Sequence, residues 1–373
     1  MKNVIGICNL HDDPNLGELT ASRPCGAVSF LGRYGLIDFS LSNFSNSQID
    51  RVYVLVKNGI LSLRSHIGNG SIWTRNTKRG FIKLLINEAG LFAPKFNTDI
   101  ANMRLNLPLE ETDFKYAVIA PSFMLASMDY NPIVESHIET GADITVVYSH
   151  MVDTDEEFIN CDRVKYNSKN EIIKFDTNLG RTSEADISIE SIIINKDVLK
   201  RIMDEANDIS QMYNLRDLIK YYVNEKPGTF NVVAYKYEGF VVPVLSMQHY
   251  VKHSLNLLNP AIMSQLFCED WPIYTTTHNT PPALYGATAD VRNSFVANGS
   301  IIKGKVINSI ISRDVVIEEG AVVQNSIIFT KSEIGKDARL EYVLTDKNVK
   351  VQTVKKLSGS KEKALYIKQG VKI

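Results

Sequence analysis

The chain has 373 residues, of which 44% are apolar and 22% are charged, and its formal net charge is −1. This composition is that of an ordinary globular protein, and the length predicts two domains. A nearly neutral charge predicts partnership neither with nucleic acid nor with an anionic membrane. The sequence shows no signal-peptide core and no 18-residue apolar run, so we expect a cytoplasmic protein. Four cysteines without metal-type spacing predict reduced thiols and no metal site.

The first sixty residues predict a βαβ unit. Residues 4–8 form a short apolar run typical of a buried strand, and residues 36–44 carry apolar side chains at helical spacing. Residues 51–56 form a β-branched and aromatic run, which indicates a second buried strand. In nucleotide-binding α/β domains the loop between the first strand and the helix holds phosphates. Residues 9–23 are therefore the first candidate for a phosphate site.

Strand and helix patterns alternate up to about residue 255. The predicted strands cover residues 116–120, 143–148 and 187–195, the predicted helices cover 131–140, 196–206 and 246–258, and a hairpin turned at 168–170 joins 163–166 to 171–175. Such alternation predicts a mainly parallel sheet covered by helices. The polar segment 275–282 then predicts an extended strap between two domains, although a substrate loop has the same composition.

The last ninety residues change character. The segment VINSII at 306–311 recurs 17 positions later as VQNSII at 323–328, and more loosely at 340–344. Single aliphatic residues six apart, with glycines between the copies, predict a parallel β-helix built of hexapeptide coils, with ordinary antiparallel strands as the alternative. We therefore expect a sheet domain over 1–255, a connector over 256–290 and a β-helix over 291–373.

A longer motif lies in residues 19–43, where L-T-x-x-R precedes A-V-x-F-x-G-x-Y-x-L-I-D-F-x-L-S-N. This motif resembles that of the sugar-nucleotide pyrophosphorylases, and within them glucose-1-phosphate adenylyltransferase, which makes ADP-glucose and pyrophosphate from ATP and glucose 1-phosphate. The resemblance implies an α/β fold: a nucleotidyltransferase-like, Rossmann-like and mainly parallel sheet domain, plus a C-terminal left-handed parallel β-helix.

The family's reaction residues are missing at the matching positions. The resemblance implies a glycine-rich phosphate loop, but Leu10 and His11 stand in place of its glycines, and only Gly17 remains. The remaining reaction positions hold Asn15 for the loop arginine, Cys25 for the phosphate lysine, Ser122 and Pro243 for the two metal-binding aspartates, and Asn178 for the sugar-phosphate lysine. None of these five side chains neutralises a phosphate or holds Mg²⁺ as the family's residue does.

The loop itself is acidic, because Asp12, Asp13 and Glu18 put negative charge where a triphosphate would lie. An ordinary acidic surface loop is the interpretation that this favours. After the central strand, M-D-Y at residues 128–130 matches the family and anchors the alignment. Asp129 is predicted to be a residue at a helix N-terminus and not a substitute metal ligand.

The chain thus keeps the residues of the fold and lacks those of the chemistry. We predict a non-catalytic or weakly active regulatory subunit in bacterial glycogen biosynthesis, similar to the D-type subunits of this family in some Gram-positive bacteria. The resemblance implies a homologous catalytic subunit as partner in a heterotetramer, with Mg²⁺ in that partner and no cofactor in this subunit. Self-association, a low-activity adenylyltransferase with a rearranged site, and a module that senses a sugar phosphate or nucleotide remain alternatives.

Four arginines are candidate ligands for an anion or a substrate phosphate. Arg23 belongs to the L-T-x-x-R motif, and Arg33, Arg51 and Arg313 are candidates to line an anion site between the two domains. Exposed, solvated arginines are the alternative for these three.

Overall fold

The computed structural model describes residues 3–76, 78–88, 90, 96–110 and 113–373. The strands of the N-terminal part are β1 (Val4–Asn9), β2 (Ser29–Phe30), β3 (Tyr34–Gly35), β4 (Arg51–Val56), β5 (Phe81–Ile86), β6 (Tyr116–Pro121), β7 (Met124–Ala126), β8 (Ile144–Val152), β9 (Asp162–Tyr166), β10 (Ile172–Thr177), β11 (Glu184–Asn195), β12 (Val232–Lys236) and β13 (Val241–Pro243). The helices are α1 (Ile37–Asn46), α2 (Ile60–Ile67), α3 (Asp99–Asn106), α4 (Asn131–Glu139), α5 (Lys196–Ile209), α6 (Leu215–Glu225), α7 (Met247–Asn256) and α8 (Pro260–Leu266).

Nine strands of the described chain form one large sheet in the order β10-β9-β11-β6-β1-β4-β5, with β8 beside β11 and β12 beside β8. Strand β1 is parallel to both of its neighbours, β4 and β6, and β4 is also parallel to β5. Strand β12 is parallel to β8. Strand β11 is antiparallel to both β6 and β8, and β9 with β10 forms the predicted hairpin. The prediction of a mainly parallel α/β sheet is therefore confirmed.

Helices cover both faces of this sheet. Strand β1 alternates, so that Val4 and Cys8 face a core shared with α1, α4 and α7, whereas Ile5 and Ile7 face a second core shared with α3, α5 and α6. This two-residue alternation follows from the pleat of a strand. A strand buried on both faces needs apolar residues at every position, which explains the unbroken run in the sequence.

The C-terminal part is a parallel β-helix. Its strands are β14 (Leu284–Tyr285), β15 (Asp290–Arg292), β16 (Phe295–Val296), β17 (Ile301–Ile302), β18 (Lys305–Ile307), β19 (Ile310–Ile311), β20 (Val316–Ile317), β21 (Val322–Gln324), β22 (Ile327–Ile328), β23 (Glu333–Ile334), β24 (Arg339–Glu341), β25 (Val343–Thr345), β26 (Lys350–Val351), β27 (Lys356–Ser358) and β28 (Leu365–Ile367). They form three parallel five-stranded sheets, the arrangement of the left-handed hexapeptide β-helix. Val306 pairs with Val323 and Val323 pairs with Leu340, so one complete coil contains 17 residues.

Left-handed backbone conformations turn the corners of the coils. Asn308, Asn325 and Tyr342 are 17 residues apart, and all have positive φ angles, of 45°, 48° and 50°. Asparagine tolerates this region better than most residues, which accounts for its recurrence in the repeat. The N-S pair of the repeated segment is therefore a corner signal as well as a spacing signal.

The β-helix begins earlier than the sequence suggested. Strand β14 pairs in parallel with β17, although its residues lie in the segment that the sequence analysis assigned to the connector. The first coil was missed because Val291 pairs with Val306 at a spacing of 15 residues, not 17. That segment also contains helix α8.

One sheet of the β-helix packs against the sheet domain. Ile310, Ile327 and Leu344 belong to the same apolar core as α1 and α7. The chain between the two parts runs along α1, where Trp271 Nε1 donates to the Asn43 side chain at 2.9 Å. The two parts thus share one core. Among the described residues, no helix combines the length and the hydropathy that crossing a membrane requires.

Candidate functional site

The candidate site lies at the edge of the sheet where β1 and β6 end. These strands are parallel neighbours in register, so Asn9 and Pro121 end side by side. The loop after β1 and Ser122 after β6 therefore meet at the carboxyl edge of the sheet, where open α/β sheets bind their ligands. Most of the family's reaction positions converge here.

The loop after β1 is held by its own side chains. His11 is buried, and its two ring nitrogens lie 3.2 Å from the Asn97 carbonyl and 3.0 Å from the Asn102 side chain. Burial lowers the pKa of His11 to about 4, so the ring is neutral at pH 7. Asn15 Oδ1 accepts a hydrogen bond of 2.8 Å from the Gly17 amide, an Asx turn. Both side chains serve the loop's conformation.

Ser122 is fully buried and fastens this loop to the sheet. Its Oγ donates to Asp13 Oδ1 at 2.7 Å, and the Gly26 amide donates to Asp13 Oδ2 at 3.3 Å. Desolvation raises the pKa of Asp13 to about 7, against the opposing effect of these two hydrogen bonds. The neighbouring Cys25 is buried in a short 3-10 helix, and burial raises the pKa of its thiol.

Asn178 and Pro243 also have structural roles. Asn178 is fully buried, and its amide donates to the carbonyls of Thr154 at 2.6 Å and Phe158 at 2.8 Å. These bonds hold the loop before β9 against the end of β10. Pro243 is buried in β13 and pairs with Met124 of β7. Its ring presents neither a charge nor an oxygen ligand.

The positions that the family uses for Mg²⁺ do not fit a metal ion here. The Ser122 hydroxyl is committed to Asp13, and Pro243 has no side-chain donor atom. In the part of the chain that the structure describes, no group of three or more His, Cys, Asp or Glu side chains is arranged to hold a metal. Asp129 instead accepts from the Asn131 amide at 2.9 Å at the start of α4, the N-terminal role that the sequence predicted.

The candidate arginines do not converge on one site. Arg313 donates through Nη2 to the carbonyls of Arg33 at 2.8 Å and Thr276 at 3.3 Å, so these two arginines do meet between the domains. Arg51 lies at the start of β4, the opposite edge of the sheet from the candidate site, and donates to the Asp113 carbonyl at 2.8 Å. Arg51 therefore lies at the amino end of its strand, whereas the candidate site lies at the carboxyl end.

Arg23 is a buried arginine that is paired within the protein through Nη2, whereas its buried Nη1 has no hydrogen-bond partner among the described residues. It is 4% exposed, and its Nη2 bonds to Asp346 of the β-helix, which is 2% exposed. Tyr366 donates to the same Asp346 carboxylate at 2.8 Å. The motif arginine thus joins the loop after β1 to the last coils of the β-helix.

A cluster of charged side chains that the sequence analysis missed lies beside this loop. It contains Asp12, Asp162, Glu190, Arg216 and Lys220, and they line a cavity of about 30 Å³ at the ends of β1 and β6. Desolvation raises the pKa of Asp12 to about 6 and that of Glu190 to about 7. The adjacent aspartates at 12 and 13 were visible as an acidic pair. Nothing in the local sequence pointed to Glu190 or Arg216.

Two known protein families match separate parts of the chain. Residues 15–176 match the nucleotidyl transferase family, and residues 282–363 match the GlmU-like C-terminal hexapeptide family. The two matches correspond to the sheet domain and the β-helix described above. The molecule is a nucleotidyltransferase-type domain joined to a hexapeptide β-helix.

Full-length relatives specify the family. Over 353 residues the chain is 31% identical to the glucose-1-phosphate adenylyltransferase of Fervidobacterium nodosum, covering 93% of this chain and 84% of that one. It is 28% identical over 365 residues to the glycogen biosynthesis protein GlgD of Bacillus subtilis, covering 96% and 93%. The glucose-1-phosphate adenylyltransferase of Bacillus cytotoxicus is 28% identical over 331 residues, 87% of this chain and 86% of that one. The chain belongs to the glucose-1-phosphate adenylyltransferase family.

Proposed function

We propose that this protein is a non-catalytic or weakly active regulatory subunit of glucose-1-phosphate adenylyltransferase in glycogen biosynthesis, which stimulates a homologous catalytic subunit in the cytoplasm. One observation carries the proposal: the reaction positions hold side chains that are committed to the fold. Ser122 fastens Asp13, Asn178 fastens the loop before β9, and Cys25 is a buried thiol. Phosphoryl transfer depends on positioning and charge neutralisation, and these groups supply neither.

The likeness to GlgD supports the same role. That relative is a glycogen biosynthesis protein, and its alignment spans almost the whole of both chains. Several adenylyltransferases of Bacillus species match over 87% to 90% of this chain. A shared fold along the full length favours shared assembly surfaces, because paralogous subunits retain the contacts of a common ancestor.

The β-helix offers one face for the partner. Its three sheets differ on the outside: the sheet β16-β19-β22-β25-β28 is covered by the sheet domain. The sheet β15-β18-β21-β24-β27 carries mostly charged and polar outward residues, such as Arg339 and Glu341. In the sheet β14-β17-β20-β23-β26 the first three strands carry a ladder of the outward aliphatic residues Leu284, Ile301 and Val316, and the last two carry the ion pair of Glu333 and Lys350. We propose this aliphatic ladder as the main contact with the catalytic subunit.

Two ion pairs connect the β-helix, and any partner bound to it, with the segment that follows β1. The buried Arg23–Asp346 pair joins them, and Lys368 bonds to Glu18 at 3.0 Å on the surface. Both side chains of the buried pair lie in connecting segments, Arg23 after the loop that follows β1 and Asp346 directly after β25. Binding stimulates the partner only if this chain favours the partner's active conformation over its inactive one.

The test is to purify this chain and the catalytic subunit separately and then to mix them. We expect co-elution in size-exclusion chromatography as a heterotetramer, and a raised kcat or lowered KM for pyrophosphate release from ATP and glucose 1-phosphate with Mg²⁺. Alone, this chain should release pyrophosphate at or near background. Separate elution at micromolar concentration, with unchanged partner kinetics, would contradict the proposal.

Two rival functions give different results in the same experiment. A low-activity adenylyltransferase with a rearranged site predicts turnover by the isolated chain that saturates with both substrates. A module that senses a sugar phosphate or nucleotide predicts a ligand-dependent rise in melting temperature without turnover, because binding to the folded state stabilises it. Self-association without the partner predicts a homo-oligomer of unchanged size in the mixture.

A further inference from the structure

The cavity at the ends of β1 and β6 is filled by the chain's own charged groups. Its volume of about 30 Å³ leaves room for a water molecule or two. Ligand pockets for small molecules are about ten or more times larger. The cavity nevertheless lies at the carboxyl edge of the sheet, the place where an open α/β sheet receives its ligand.

The groups that fill it come from four separate elements. Arg216 of α6 bonds through Nη1 to Glu190 of β11 at 2.5 Å, and through Nε to Asp162 of β9 at 3.1 Å. Lys220, one turn further along α6, bonds to the same Asp162 at 2.8 Å. At the start of α6, Asn214 donates to Asp12 of the loop after β1. Two cations are thus enclosed by three carboxylates.

Glu190 occupies this position at a cost to the backbone. Its φ angle is +58°, in the left-handed region that side chains other than those of glycine and asparagine rarely adopt. It lies where the pairing of β11 with β8 shifts register between Ser188 and Ile192. Its side chain is 9% exposed. A strained residue in a rare conformation is retained where the surrounding structure requires its side chain.

We propose that the Glu190 carboxylate is an internal plug, which occupies the place and supplies the charge of a phosphate-bearing ligand for Arg216, beside the Lys220–Asp162 pair. Because the plug is part of the chain, the crevice is closed without a ligand. Shortening the side chain opens the crevice and leaves two cations with one carboxylate fewer. The opened crevice should therefore accept a small phosphate ester of a sugar. This proposal concerns the isolated chain and does not depend on stimulation of a partner.

The test measures binding of glucose 1-phosphate, and separately of inorganic phosphate, by isothermal titration calorimetry. The wild-type chain should give no saturable heat. Glu190→Gly removes the side chain and suits the left-handed backbone, so it should give a saturable isotherm with glucose 1-phosphate, at an affinity at least about tenfold above the weakest binding that the wild-type titration would detect. Adding Arg216→Ala to this variant should abolish the gain.

A matched control separates the crevice from a general change of charge. Glu205→Ala also frees an arginine, since Glu205 bonds to Arg201 on the exposed face of α5 at 2.7 Å. This control should behave like the wild type. Equal binding by the control and by Glu190→Gly would overturn the proposal, as would equal binding by the wild type.

A second variant covers the risk that the first does not fold. Glu190→Asn tolerates the left-handed conformation and has a shorter, uncharged side chain, so it should gain binding in the same direction. If circular dichroism shows either variant folded and neither binds, the crevice is not opened by removing Glu190 and the proposal is wrong. If neither variant folds, the cluster is a structural ion-pair network that the core requires, and the plug interpretation is abandoned.

Discussion

The edge of the sheet around Ser122 and the β-helix are stabilised by different kinds of interaction. In the β-helix, most inward strand positions are buried aliphatic residues, and Ile302, Ile317 and Ile334 are fully buried in register. At three of the positions that carry the family's chemistry, the polar side chains of Asn15, Ser122 and Asn178 bond to the protein itself. Packing keeps a fold intact whichever chemistry is present, whereas a reaction site persists only while its charged groups remain.

The two regions meet at the buried Arg23–Asp346 pair, and breaking it tests how strongly they are coupled. Arg23→Ala leaves Asp346 as an uncompensated charge with 2% exposure, and should destabilise the protein by about 3–5 kcal/mol. Urea denaturation followed by circular dichroism measures this change. Lys368→Ala is the control, since it breaks the exposed Glu18 pair and should cost no more than about 1 kcal/mol. Equal losses of stability in the two variants would show that the buried pair stabilises the protein no more than the exposed pair does.

Restoring one carboxylate at the sheet edge should damage the fold without restoring the chemistry. Ser122→Asp places a second carboxylate against Asp13, where like charges oppose ionisation, and should cost about 2 kcal/mol at neutral pH. Pyrophosphate release should stay at background, because Pro243 and Asn178 remain. Ser122→Ala, which only removes the hydrogen bond, should cost about 1 kcal/mol. A Ser122→Asp variant with activity near that of the family would refute our interpretation of the site.

The sequence predicted the β-helix and the alternation of strands and helices along the chain better than it predicted the site. Periodicity carries long-range information when each coil repeats the last, so Val306 and Val323 were paired from spacing alone. The ion pair between Glu190 and Arg216 depends on where the pairing of β11 with β8 shifts and on where α6 packs against the sheet. Neither is a local pattern. The replacements at Ser122 and Pro243 were readable only because flanking residues resembled the family.

The raised pKa values at the sheet edge predict a stability that falls as pH rises. Asp13 and Glu190 have folded pKa values of about 7, raised chiefly by desolvation. Asp99, the first residue of α3, accepts a hydrogen bond of 2.8 Å from Asn9 at the end of β1, and desolvation raises its pKa to about 8. In the unfolded chain these carboxyls have pKa values near 4, so from about pH 4 to about pH 8 the folded state binds more protons than the unfolded state, and stability falls with rising pH until the folded carboxyls ionise. The decline is best measured in the range from about pH 6.5 to about pH 8. The histidines with lowered pKa values act below this range.

Replacing one of these groups should flatten the decline. Asp13→Asn keeps an oxygen for the Ser122 hydroxyl and cannot ionise, so its stability should fall by about 1 kcal/mol less than that of the wild type over the same pH range. Urea midpoints at several pH values measure the slope. Asp290→Asn is the control, because Arg292 lowers the pKa of that carboxyl and it is ionised throughout. An unchanged slope for Asp13→Asn would show that Asp13 is ionised across this range.

The smallest expected effect on stability comes from the outer face of the β-helix, and it separates folding from assembly. Val316 and Ile317 are neighbours in β20: Val316 is half-buried on the aliphatic ladder, and Ile317 is fully buried inside the coils. Val316→Asp should change the free energy of unfolding by less than about 1 kcal/mol, because its side chain remains in contact with water. If the ladder is the contact face, this variant should elute separately from the catalytic subunit and fail to stimulate it. Ile317→Asp should instead unfold the β-helix, since it buries an unpaired charge. A folded Val316→Asp chain that still co-elutes and stimulates would place the partner on another face.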